Sequence, residues 1–219
     1  MPQVDREKVL AENARWQAEL IEAFGICPYA RRCREENRMM RDVLDATDAD
    51  LPEVLTAALV GLHRQPLRAE KQWEIALILC PAVTLDAGHF ERLVRQSSDQ
   101  AVAQVRNEGV DPQFVAVAFH PQLAYAPTDP YKLLGFWRRS PHPTVQLVHL
   151  PTLNRLSSAH IPPKYVDPDD LTAVRALLGQ DISGDLADRI ALANWRTYHA
   201  RTEELLAKSA QLLTSSNDS

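Results

Sequence analysis

Apolar residues recur along this chain in two rhythms. Over residues 6–24 they fall three and four apart, at Leu10, Ala14, Ala18, Ile21 and Phe24, which predicts an amphipathic helix. Asp5 is placed to cap it and Gly25 to stop it. Residues 29–38 are basic, with Arg31, Arg32, Arg34 and Arg38, and residues 39–44 predict a first short strand. A second helical rhythm covers residues 51–64, with Asp48 or Asp50 as its cap. The run from Ile75 to Cys80 is apolar without a break, as in a strand covered on both faces. Asp86 then opens a helix to Asn107 that Gly109 ends, and Phe114–Phe119 reads as a second buried strand. Residues 120–143 form a proline-rich connection, too long for a bare link and so a candidate functional loop. Val145–Leu150 is a third apolar strand. Beyond it the pattern predicts a short helix at 152–160, a proline-rich surface crossing at 161–170, and helices at 170–178 and 186–212. The polar tail 214–219 is expected to be disordered.

Strands alternating with helices imply an α/β fold. We expect a single domain over residues 1–213, an α/β sandwich with a mixed, mostly parallel sheet and flanking helices. Strands 73–80 and 114–119 should run in the same direction, with right-handed crossovers, and the strand at 145–150 against them. In that arrangement Cys80, His120 and the segment before residue 145 meet at one sheet edge. Ligands of open α/β sheets gather beyond the carboxyl ends of the strands.

The chain has 219 residues, 45% of them hydrophobic and 24% charged, an ordinary balance for a globular protein. A net charge of −5 supplies no basic field, so nucleic acid is not an expected partner. No apolar run reaches the roughly 18 residues of a membrane span, and no leader peptide is visible. Cys27, Cys33 and Cys80 are the three cysteines. Their spacing fits no zinc framework, so no metal is expected, and a reducing cytoplasm is the natural compartment.

Candidate chemistry sits in three short stretches. In Phe119-His120-Pro121, His120 reads as an acid/base group, a metal ligand or a capped structural histidine. In Arg138-Arg139-Ser140-Pro141-His142-Pro143, Arg139 reads as an anion clamp or a loop ion pair, and Ser140 as a hydrogen-bond donor. Ser140 lacks the glycine-flanked elbow of a hydrolase nucleophile. In Cys27-Pro28-Tyr29, Cys27 reads as a thiolate whose pKa Arg31 and Arg32 lower, or as a small buried residue. Cys80, ending an apolar strand, reads as core. Cys-Pro also occurs where thiolate ligates haem iron, so haem held by Cys27 or His120 is an alternative. There is no phosphate-binding loop, no dinucleotide fingerprint and no His-Glu-x-x-His.

These stretches resemble one family. Ile26-Cys27-Pro28-Tyr29-Ala30, Ala118-Phe119-His120-Pro121 and Arg139-Ser140-Pro141-His142-Pro143-Thr144 are similar, in order, to motifs of domain of unknown function family 1415. The resemblance runs from about Arg15 to the last helix. It departs at Gln122 and Leu123 where the family tends to an acidic and an aromatic residue, at Arg138 where it tends to Asn, and at Val145-Gln146 where it tends to Leu-His. The resemblance implies a pocket and names no reaction. Taken together, we expect an enzyme acting on a small, anionic molecule at a pocket of Cys27, His120, Arg139 and Ser140. The alternatives are a haem-binding oxidative enzyme and a binding module without turnover.

Overall fold

The computed structural model describes residues 4–27, 30–65, 73–150 and 186–214, with side chains from 191 onward in the last of these. The helix at 152–160, the crossing at 161–170, the helix at 170–178 and the tail beyond Thr214 lie outside the described residues. The elements in order are α1 (Arg6–Trp16), a π-helix (Gln17–Glu22), α2 (Ala30–Glu35), β1 (Met39–Val43), α3 (Leu51–Arg64) and β2 (Ile75–Leu79). They continue with α4 (Ala87–Asn107), β3 (Phe114–Phe119), α5 (Leu134–Trp137), β4 (Thr144–His149), α6 (Leu186–Ala200) and α7 (Thr202–Thr214).

The fold is α/β, with a four-stranded mixed sheet in the order β1-β2-β4-β3. β1 and β2 are parallel, and β4 is antiparallel to both β2 and β3. Three strands therefore share one direction, as expected, and β4 alone opposes them. The expected parallel neighbours β2 and β3 are not neighbours, because β4 is inserted between them. An apolar strand needs partners on both sides for its backbone N–H and C=O groups, and the central slot provides them. β3 is displaced to the edge. There Val115 is 40% exposed, so β3 is not the fully buried strand its apolar run predicted.

The two sheet faces have different covers. Ala76, Ile78, Ala118, Val145 and Leu147 pack beneath α3 and α4, with Leu55, Leu59, Phe90 and Val94. Each fully buried side chain of this kind contributes about 1.5–3 kcal/mol. A second cluster joins Trp16, Leu20 and Phe24 to Leu133, Phe136, Trp137, Trp195, Tyr198 and Leu205. It roofs the opposite face.

Local rules explain most element ends. Asp5 caps α1 by accepting from the Lys8 N–H at 3.0 Å, and Asp86 caps α4 by accepting from the His89 N–H at 2.9 Å. At α3 neither candidate acts as a side-chain cap. Asp50 stands at the N-cap position, but its carboxylate takes the Thr47 hydroxyl at 2.8 Å. Asp48 accepts from the Thr84 N–H at 2.8 Å, tying the loop after β1 to the loop after β2. The helix predicted over 6–24 changes to π winding at Gln17, and Gly25, at φ +66°, ends it in the left-handed region. The helix predicted over 186–212 is broken at Arg201, where the Thr202 hydroxyl donates back to the Tyr198 carbonyl at 2.7 Å. No helix among the described residues is long and apolar enough to cross a membrane.

Candidate functional site

The sheet edge where β2 and β3 end and β4 begins carries a cavity of about 400 Å³ lined by both His120 and Arg139. His120 is only 4% exposed, and both ring nitrogens are engaged. Nδ1 accepts from the Gln122 N–H at 3.1 Å, and Nε2 donates to the Leu85 carbonyl at 3.0 Å. Burial holds the imidazole below its ordinary pKa, so it is neutral. A ring with both nitrogens bound to backbone has no open lone pair for iron or for a substrate proton. Arg139 donates from Nε to the Pro121 carbonyl at 2.8 Å, and its guanidinium lies 5.9 Å from the Tyr125 ring centre. Ser140 is fully buried. Its hydroxyl donates to the His142 carbonyl at 2.5 Å, and the Thr144 hydroxyl donates to the same oxygen at 2.8 Å. Ser140 closes the turn into β4 and is not on the lining of the edge cavity. His142 Nε2 lies 2.7 Å from Glu12 Oε2, pinning α1 to this edge.

Cys27 does not join this group. It lies on a second cavity, of about 370 Å³, between the sheet and its helical roof. The expected four-residue pocket is therefore split in two. The reason is topological: Cys27 follows the π-helix, which packs over the sheet face, whereas His120 and Arg139 leave the sheet at its end. Register explains the floor of this second cavity. Leu77 is paired with Gln146 and Gln146 with Val117, so all three share a face. Ile75 and Met39 extend it. Trp16, Gln17 and Ile21 come from α1 and the π-helix, Trp137 and Arg138 from α5 and its end, and Asn194 from α6.

The polar groups of this wall are unusual. Trp16 and Trp137 are each 3% exposed, and neither indole N–H has an acceptor among the described residues. A buried donor without a partner costs about 1–3 kcal/mol. Their rings are fixed by edge-to-face contacts, Trp16 on Phe119 at 6.0 Å and Trp137 on Phe136 at 4.8 Å. Gln17 donates to Glu22 Oε1 at 2.7 Å and accepts from Arg41. Among the described residues the Arg138 side chain makes long contacts, 3.5 Å to the Leu134 carbonyl and 3.7 Å to Glu91.

The charge expected to activate Cys27 is already engaged. Arg31 lies 3.9 Å from Glu22, and Arg32 pairs with the buried Glu74, which also takes Arg38 at 2.9 Å. Arg34 binds Glu22 at 2.8 Å. The basic stretch is thus a set of ion pairs that fastens α2 to the start of β2 and to the π-helix. No disulfide joins the cysteines. Burial pushes the Cys33 thiol up, and that of Cys80 up to about 12.

Residues 8–176 match the model of a family described as a protein of unknown function, DUF1415. The chain belongs to this family. No curated protein and no solved structure matches it. The family span holds all three motif stretches and ends before α6 and α7, so Asn194 reaches the cavity wall from beyond it. Of the positions where the motifs depart, Gln122 lines the edge cavity, and Arg138 and Gln146 line the cavity beneath the helical roof. Trp16, Gln17, Trp137 and Asn194 were not singled out from the sequence. The available signal was Gln146, a polar residue between the apolar Val145 and Leu147 of β4.

Proposed function

We propose that this protein binds a small organic molecule in the cavity between the sheet and its helical roof, with Cys27 against the ligand. One observation carries the reading: an apolar cavity of about 370 Å³ has Cys27 on its wall and two wall tryptophans with orphaned N–H groups. That volume lies within the roughly 300–1,000 Å³ of ordinary ligand pockets. The location of Cys27 favours a second reading, an enzyme in which its thiolate attacks the bound molecule. The described wall has no histidine to act as base, so activation would fall to Arg138 or to the ligand. In the haem alternative, engagement of both His120 nitrogens leaves Cys27 as the axial ligand. A Soret band in freshly purified protein would select it. A cytoplasmic setting suits the reduced cysteines.

Small aromatic probes test the main reading. Naphthalene derivatives should quench tryptophan fluorescence, raise the melting temperature and slow alkylation of Cys27. Leu77→Trp, which fills the cavity from the sheet side, should abolish all three effects. Probes that bind while Cys27 alkylation stays unchanged would place the ligand elsewhere and overturn the proposal.

A further inference from the structure

We infer that the ligand of the sheet-face cavity is an apolar acid, a hydrocarbon body carrying a carboxylate that Arg138 receives. The inference rests on the cavity reading above and names the chemical class that the cavity takes. The floor and roof are hydrocarbon, from Ile21, Ile26, Met39, Ile75, Leu77 and Val117, and match an apolar body. The Gln17, Gln146 and Asn194 amides on the wall both donate and accept, whereas Arg138 only donates. The Trp16 and Trp137 N–H groups lack acceptors among the described residues, and Arg138 is the charged side chain on the described wall, with no carboxylate beside it there. A cation on an otherwise uncharged wall calls for a ligand with acceptor oxygens and negative charge. An amine would bring like charge to the Arg138 guanidinium, and a purely hydrocarbon ligand would use none of the polar groups of the wall.

The contacts of the Arg138 guanidinium are also long. Its contacts at 3.5 Å to Leu134 and 3.7 Å to Glu91 are beyond good hydrogen-bond length. Val117 and Arg138 line both this cavity and a groove along the outer edge of β3, where Glu91 also lies. The guanidinium therefore stands where groove and cavity meet. A carboxylate arriving along β3 exchanges with Glu91 for the same donors, with no net change in charge pairing.

The experiment titrates 2-naphthoate, 2-naphthamide and 2-naphthylmethylammonium into the full chain at pH 7, read by tryptophan fluorescence. The acid should bind at least tenfold tighter than the amide, and the ammonium weakest. Arg138→Met and Arg138→Gln should bring the acid down to the amide's affinity and leave the amide unchanged. Circular dichroism checks that both variants are folded. Equal affinities for acid and amide in the intact protein would overturn the acid class while leaving the cavity reading in place. A preference for acid that survives in both variants would remove Arg138 from it. Failure of all three probes to bind would overturn the class and the cavity reading together.

Discussion

At the scale of single residues, His120 is held from both sides of its ring by backbone groups. His120 stands at a strand exit before a proline, as expected, but its ring bridges the Gln122 amide and the Leu85 carbonyl, joining the loops after β2 and β3. His120→Ala strands one buried donor and one buried acceptor. We expect a loss of roughly 1–3 kcal/mol for each group left unsatisfied, seen as a clear drop in melting temperature. A melt indistinguishable from the parent would return His120 to a purely functional role. Cys27 follows a different logic. Its neighbouring arginines are bound to Glu22 and Glu74, so no surplus positive charge distinguishes it. What separates it from the other thiols is that they are disfavoured. Burial raises the pKa of Cys33 and pushes that of Cys80 to about 12, and reactivity follows the thiolate. Alkylation at neutral pH with peptide mapping should label Cys27 first. Earlier labelling of Cys33 would mean that the α2 ion pairs open in solution.

At the scale of elements, the sites depend on two short pieces that periodicity does not reveal. The π-helix over Gln17–Glu22 continues α1 with a wider turn, and it brings Gln17 and Ile21 onto the cavity wall. A three-and-four rhythm cannot distinguish π winding from α winding over six residues. The other piece is α5, four residues in the proline-rich connection. It packs against the Ala124–Tyr125 backbone through Gly135, where a Cβ would collide with the Ala124 carbonyl oxygen. Gly135 is therefore present for close approach, and Trp137 and Arg138 follow it directly. Gly135→Ala should cost about 1–3 kcal/mol or more through overpacking. It should also shift the tryptophan emission and weaken binding of any cavity probe. An unchanged melt and emission would show that this loop gives way without disturbing the wall. The regular elements, by contrast, were legible. α3, α4 and β2 have long or unbroken apolar patterns, and all three lie where those patterns placed them. Contacts across the chain, such as Asp48 to Thr84 instead of to its own helix, carry no local signal.

At the scale of the whole molecule, strand direction was legible and strand order was not. The alternation of helices and strands set the direction of β2 and β3, and the connection before residue 145 allowed β4 to return antiparallel. The insertion of β4 between them depends on which edge the returning strand meets, and that is a tertiary choice. The insertion sends β3 to the margin, and His63 and His120 are buried near opposite ends of the sheet region, with His149 buried as well. His63 accepts from the Gln113 N–H at 3.1 Å and is 4% exposed, as is His120. Burial lowers both pKa values, so both imidazoles are neutral in the folded chain. In the unfolded chain they titrate at the ordinary value of about 6.5. Above that pH neither state carries these protons, and the contribution to stability is complete. As pH falls from 6.5 through the depressed folded values, the unfolded state binds protons that the folded state refuses, and stability is lost. Each histidine contributes a slope of at most about 1.4 kcal/mol per pH unit. The carboxylates held down by arginine, such as Glu22 beside Arg34, begin to lose their contribution only as pH falls through the ordinary carboxylate range, and finish losing it below their depressed folded values. The interval from pH 6.5 to pH 5 therefore isolates the histidines. Urea melts at pH 7.5, 6.5, 5.5 and 5.0 should show a midpoint that is flat above 6.5 and falls below it. His63→Gln should reduce that fall. A midpoint that holds constant down to pH 5 would mean that the two imidazoles protonate in place, and that neither is buried in solution as it is here.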